Sequence, residues 1–231
     1  MEEINNQFDN IKKVISQNIA DSLQHHEYDI SKLLVKLEII DICQRNIQNN
    51  CIDVFKEVQN DLLNSVIFLT QAFYRNSYMC LRSAMELSLS FIYYTDRNYE
   101  FLLWKNNYID MSWTKISSQD NGILCDKYLQ LFCSDTLNTT KLIDDVEKCY
   151  HDCSEYVHGK YQFMQSINNI GIKYETNHFT KCFDQIIFVC DCIITLMFIR
   201  FGKELKYNFL LEDFSDHWKG LLRKYGVNIN E

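Results

Sequence analysis

Between Cys149 and Tyr161 the chain reads CYHDCSEYVHGKY, its densest run of side chains able to do chemistry. On a helix, His151, Glu155 and His158 fall at i, i+4 and i+7 and share one face. Ser154 stands four residues before His158, while Cys149, Cys153 and Val157 occupy an adjacent face able to point to a core. Imidazoles exchange protons near neutral pH, so two of them beside a carboxylate and a hydroxyl suit general acid–base catalysis. The plain alternative is a solvated helical face with two ordinary histidines. A metal is not expected, because H-x3-E-x2-H on one helix needs a further ligand from elsewhere and HExxH is absent. A Cys–His nucleophile is disfavoured, because the apolar face holding Cys149 and Cys153 makes inert thiols.

A second stretch, Tyr74 to Tyr94 (YRNSYMCLRSAMELSLSFIYY), carries Arg75, Arg82 and Glu86 in an otherwise apolar run. Arg82 and Glu86 are at i and i+4 and can pair, and Arg75 and Arg82 are two turns apart on one face. Charge in so apolar a helix demands a partner, either that internal pair or an anionic ligand such as a phosphate.

Taken together, LRSAMELSLSFIYY and, about 60 residues later, CSEYVHGKY resemble the HEPN superfamily. The resemblance covers roughly residues 70–160, with the helix after Asn177 as a further bundle member. His158 followed by Gly159 matches the histidine end of the family motif; His151 stands in its arginine slot, with Asp152 as the following polar residue. It implies a small all-α bundle from a prokaryotic toxin–antitoxin or antiphage defence setting. It also implies metal-independent RNA cleavage without a cofactor, by attack of a 2′-OH on the adjacent phosphorus. His158 would be the acid/base residue, with His151, Arg82 or Arg75 as electrostatic partner; Glu86, Asp152, Ser154, Glu155 and Lys160 would support the site or bind substrate. The expected partners are RNA, a second copy with the His151/His158 face turned inward, and an antitoxin or other defence protein. The alternative within the same family is a catalytically silent bundle acting as a binding or regulatory subunit.

The elements that must position these residues are legible from spacing. Ile4, Phe8, Ile11, Ile15, Ile19 and Leu23 make an apolar stripe on a first helix of about 20 residues. His25, His26 and Tyr28 read as a loop, with Asp29 capping a second helix through Leu33, Leu34, Leu37, Ile40 and Ile47. Asp53 is a candidate cap for a third, with Phe55, Val58, Leu62, Val66 and Leu69 inward; whether residues 53–95 form one helix or two is open. Short helices are expected around Tyr99–Lys105 and Leu124–Phe132, and a longer one capped by Thr139 or Thr140 and ended by Gly159. Asn177 is the expected cap of the most hydrophobic helix, Phe179 to about Leu205, and Phe214–Tyr225 closes the chain before Gly226. The aromatic group Tyr99, Phe101, Trp104, Tyr108 and Trp113, and His217 and Trp218, are expected to pack in a core or interface rather than stack on bases.

Composition agrees. The 231 residues contain no proline and 6 glycines, which disfavours a turn-rich β fold. The expectation is one all-α domain over residues 1–231, with N-terminal helices over 1–70, a bundle core over 71–205 holding an antiparallel four-helix centre, and a C-terminal helix over 206–231. A net charge of −8 argues against coating nucleic acid by bulk charge but leaves room for a local basic cleft, for which Lys148, Lys160, Lys173 and Lys181 are candidates. Ten cysteines without CxxC spacing, and no signal peptide, read as reduced thiols in a cytoplasmic protein. The run Ile186–Phe201 is short for a membrane span and interrupted by Asp191, so a core helix and no membrane partner are expected.

Overall fold

A computed structural model describes residues 2–133, 137–160, 164, 172–209 and 215–226. Phe214 and most of the weakly helical stretch 160–177 lie outside the described residues, as do the side chains of His217 and Trp218. Among the described residues there are nine helices and no strand, so the chain is all-α. They are α1 (Glu2–Asn46), α2 (Ile52–Thr70), α3 (Tyr74–Thr95), α4 (Asn98–Lys105), α5 (Trp113–Ile116), α6 (Asp126–Phe132), α7 (Thr139–Val157), α8 (Thr176–Phe209) and α9 (Ser215–Lys224).

The loop expected at His25–Tyr28 is a kink instead, and Asp29 therefore caps nothing. Only His26 departs from helical geometry (φ −136°, ψ 22°), and α1 continues on both sides. Tertiary contacts hold the kink: the His26 ring stacks on Phe179 at 4.1 Å between centroids, and its Nε2 hydrogen-bonds the Tyr174 hydroxyl at 3.0 Å. Residues 53–95 form two helices, because Ala72 in the intervening turn takes a positive φ of 64°. That left-handed residue turns α3 back onto α2 without a glycine.

Several caps differ from expectation. Asn138, not Thr139 or Thr140, caps α7: its side-chain oxygen accepts from the Lys141 backbone N–H at 3.0 Å. Thr139 is already inside the helix and donates its hydroxyl to Asp126. Glu175, not Asn177, serves the start of α8, its carboxylate accepting from the His178 N–H at 2.8 Å. Asp53 sits in the first turn of α2, two residues past the capping position held by Cys51, though a carboxylate there still complements the helix dipole. Gly159 has a φ of +63°, as a residue just past a helix C-terminus should.

The core forms where α3 packs against α2, α7 and α8, and α1 against α2 and α8. Small polar residues let these helices approach closely. The Ser77 hydroxyl on α3 donates to the Ser65 carbonyl on α2 at 2.8 Å and accepts from the Cys182 thiol on α8 at 3.2 Å. By length and composition Thr176–Gly202 could cross a membrane, with a mean hydropathy of 2.1, yet 67% of that apolar window is buried inside the protein. Asp191, in the middle of its apolar run, accepts from the Lys36 ammonium of α1 at 2.5 Å. The hydropathy of α8 is thus that of a helix buried against its neighbours.

The apolar residues of the short helices divide. Phe101 is buried and Trp104 half-buried, whereas Tyr99 and Tyr108 are exposed, as is Leu131 of α6. The N-terminal stripe also lies largely open: Ile4, Phe8 and Ile11 are 57%, 58% and 47% exposed. All ten cysteines are free thiols; Cys80 and Cys133 are half-buried and the rest buried.

Candidate functional site

The site is built on α7, and the amphipathic spacing of that helix decides which side chains face which neighbour. Leu142, Val146, Cys149 and Cys153 are fully buried and fix its rotation against α3 and α8. Val157, expected on that apolar strip, is only half-buried. With the rotation fixed, His151 and His158 are exposed and Glu155 is half-buried between them. Among the described residues the His158 imidazole makes no hydrogen bond or ion pair. It belongs to the C-capping residue, whose own N–H donates to the Ser154 carbonyl at 3.0 Å. Glu155 pairs with Lys160.

Both arginines of α3, two turns apart on that helix, reach α7. Arg75 lies at the end of the helix: its Nε donates to the Tyr156 carbonyl at 3.3 Å. A side-chain carbon built on Gly159 would stand 3.6 Å from its Nη2. A guanidinium there satisfies a terminal carbonyl and complements the negative end of the helix dipole. Residues 156 and 159 bracket His158, so Arg75 is the arginine of the His158 turn.

Arg82 is engaged differently. Its Nε donates to the Ser154 hydroxyl at 2.6 Å, its Nη2 to the Tyr150 hydroxyl at 2.5 Å, and its Nη1 meets the Glu86 carboxylate. The Tyr150 hydroxyl in turn donates to Glu86 at 3.1 Å, and the Ser154 hydroxyl to the Tyr150 carbonyl at 2.8 Å. The guanidinium also lies 4.1 Å from the centre of the Tyr150 ring, whose other face carries Trp113 at 3.6 Å. Arg82, Tyr150 and Trp113 thus form a three-layer stack, with the His151 ring steeply inclined to it, its centroid 5.8 Å from that of Tyr150 and 6.4 Å from that of Trp113. Burial pushes the Tyr150 phenol up to about 12, which keeps it protonated as the donor to Glu86.

On the other side of Glu155, α7 and α8 enclose a cleft of about 550 Å³ lined by Tyr78, Lys148, Asp152, Glu155, Tyr156, Lys181, Asp184, Gln185 and Phe188. The Tyr78 and Tyr156 rings stack at 3.6 Å and 5°. Two of the four lysines expected to form a basic groove, Lys148 and Lys181, are here, facing three carboxylates; Lys160 is paired with Glu155, and Lys173 is exposed just ahead of α8. The groove is therefore of mixed sign. Burial pushes the Asp152 carboxyl up, with Lys148 and His151 opposing that shift.

The neighbouring thiols are poor nucleophiles. Hydrogen bonding with the thiols of Cys153 and Cys192, together with burial, pushes Cys149 well up, and the Gln185 amide lies against both Cys149 and Cys153 at 3.5 Å. Among the described residues no group of three or more His, Cys, Asp or Glu side chains converges as a ligand set for a metal ion.

Sequence reasoning did not single out Tyr78, Tyr150, Tyr156, Asp184, Gln185 or Phe188 for the site, and it expected Trp113 to pack in a core or interface. Tyr150 had a faint signal, lying four residues before Ser154 on the helix; Trp113 is 37 positions from Tyr150 and had none. No family model, curated protein or solved structure matches the chain.

Proposed function

We propose that this protein is a HEPN-like, metal-independent endoribonuclease of a toxin–antitoxin or antiphage defence system. The observation that carries the reading is the end of α7, where the exposed His158 imidazole and the Arg75 guanidinium share one turn of an all-α bundle. In this reading His158 takes the proton from an RNA 2′-OH as its oxygen attacks the adjacent phosphorus. Arg75 stabilises the charge that develops on the phosphoryl oxygens, and the 5′-oxygen departs. Seven residues separate His151 from His158, about 10.5 Å along the axis, which is too long for both to act on one phosphate within one chain. His151, with Trp113 beside it, is assigned to holding a neighbouring nucleotide. Arg82, Glu86 and Ser154 belong to the network that fixes α7 on α3.

One observation favours the second reading, a silent bundle that binds or regulates. Arg82 already meets Ser154, Tyr150 and Glu86, and the adjacent cleft presents carboxylates as well as lysines. RNA cleavage in EDTA by wild type and His158→Ala separates the two. Cleavage leaving 2′,3′-cyclic phosphate ends, reduced at least about 100-fold in the variant, is expected. Equal cleavage by both proteins would remove His158 from the mechanism, and no cleavage by wild type would favour the silent bundle.

A further inference from the structure

The cleft of about 550 Å³ between α7 and α8 is of a size that holds a small molecule or one nucleotide base. Glu155 is paired there with Lys160, but among the described residues the side chains of Lys148, Asp152, Lys181 and Asp184 make no hydrogen bond or ion pair. Lys148 and Asp152 stand four residues apart on one face of α7, about 6 Å along its axis. The Lys148 ammonium is near enough to oppose the upward push that burial gives the Asp152 carboxyl, yet the two do not meet. An ammonium and a half-buried carboxylate thus line one cleft side by side, each without a partner. Tyr156, one turn further along α7, and Phe188 of α8 bring aromatic rings to the same cleft.

We propose that this cleft binds a guanine base, Lys148 donating to its O6 and the Asp152 carboxylate accepting from its N1–H and N2–H. Along the cleft wall, a lysine followed by the two oxygens of a carboxylate offers a donor and then two acceptors. The complement is an acceptor followed by two donors, which is the Watson–Crick edge of guanine. Adenine, cytosine and uracil, in either direction along that edge, leave at least one of these groups facing its like or without a partner. Charge balance agrees. With Glu155 paired to Lys160, the two lysines Lys148 and Lys181 offset Asp152 and Asp184, which suits a neutral ligand rich in donors and acceptors. A polyamine or basic peptide would be set against the lysines, and a lone phosphate against the carboxylates. The aromatic rings of Tyr156 and Phe188 suit the flat faces of a base.

Lys181 marks the end of the cleft nearer His158: the Tyr78 hydroxyl donates to its carbonyl at 3.4 Å, and the Tyr78 ring stacks on Tyr156. Six residues separate Asp152 from His158, about 9 Å along the axis, so a guanine held at Asp152 can carry its phosphate toward Lys181 and His158. Placing that guanine in RNA rests on the role given to His158; recognition of the base does not.

Isothermal titration of the full chain in EDTA with nucleoside 5′-monophosphates tests the proposal. Guanosine monophosphate should bind with a dissociation constant below about 1 mM. Inosine monophosphate, which lacks the N2 amino group, and adenosine monophosphate should bind at least about 10-fold more weakly. Asp152→Asn should weaken guanosine monophosphate at least about 10-fold and bind xanthosine monophosphate more tightly than wild type does, because an amide donor then meets an O2 acceptor. A variant that had merely lost structure would weaken every nucleotide alike. Equal binding of the guanosine, inosine and adenosine monophosphates, no binding of guanosine monophosphate, or an Asp152→Asn variant that keeps the wild-type preference would each overturn the proposal. A 2′-O-methylated RNA oligomer with one guanine, which cannot be cut, should bind at least about 10-fold more tightly than guanosine monophosphate. Equal affinity would overturn the assignment to RNA in favour of a free nucleotide. Guanine selectivity without RNA cleavage would remove the nuclease and leave the base site standing; cleavage without guanine selectivity would do the reverse.

Discussion

The Arg82 guanidinium meets three oxygen partners and the face of an aromatic ring, and those contacts determine what its replacement does. Lysine keeps the charge but not the planar fork, so it cannot reach Ser154, Tyr150 and Glu86 together while lying flat on Tyr150. Arg82→Lys should therefore destabilise the chain by about 1–3 kcal/mol, measured by urea unfolding, because it leaves partly buried hydrogen-bonding groups unmatched. Asp152 is governed by a different force. Burial raises its carboxyl in the folded protein, so ionised Asp152 opposes folding once pH exceeds that raised value. The penalty is fully present above the folded pKa and vanishes below the ordinary carboxylate range. Asp152→Asn should accordingly be more stable than wild type at pH 7. Its advantage should shrink to nothing as pH falls through and below about 4. A constant difference across that range in thermal melts would show that Asp152 does not titrate in this way.

At the scale of elements, α7 depends on its two ends. Asn138 closes the first, and a left-handed Gly159 with φ +63° closes the second, directly under Arg75. Gly159→Ala would place its new methyl in ordinary van der Waals contact with Arg75 at 3.6 Å and Met164 at 3.8 Å, so its effect is conformational rather than steric. It should cost about 1 kcal/mol through the left-handed backbone, seen as a lowered urea midpoint with an unchanged m-value. Spacing revealed most elements of this protein because apolar residues recur with the helical period in α2, α3 and α7. It missed the character of residues 25–29. A histidine pair beside a tyrosine reads as a loop, and only the Phe179 ring beneath His26 makes it a kink in a continuous helix. It also missed the caps supplied by Asn138 and Glu175, since several capping residues stood side by side and local preference could not choose between them.

For the molecule as a whole, the dominant arrangement is an apolar α8 enclosed by α1, α2, α3 and α7. The helix most suited by composition to a membrane is largely buried in protein, and its central Asp191 is matched by Lys36 from α1. The reverse holds at the N-terminus. A stripe with the periodicity of a core helix is left exposed over residues 4–14.

The sequence by itself determined that the chain is all-α, that Arg82 and Glu86 are spaced to pair, that His151 and His158 share a helical face, and that α7 ends at Gly159. Each is a matter of composition or of contacts three to seven residues apart on one helix. Tertiary structure alone decided which arginine accompanies which residue of α7, that Tyr150 is held between Arg82 and Trp113, and that the lysines meet carboxylates in a cleft. It also decided that the N-terminal stripe is left open. These depend on how far each helix extends past its neighbour and how it is rotated against it. The summed packing of the core sets both, and no local spacing records them.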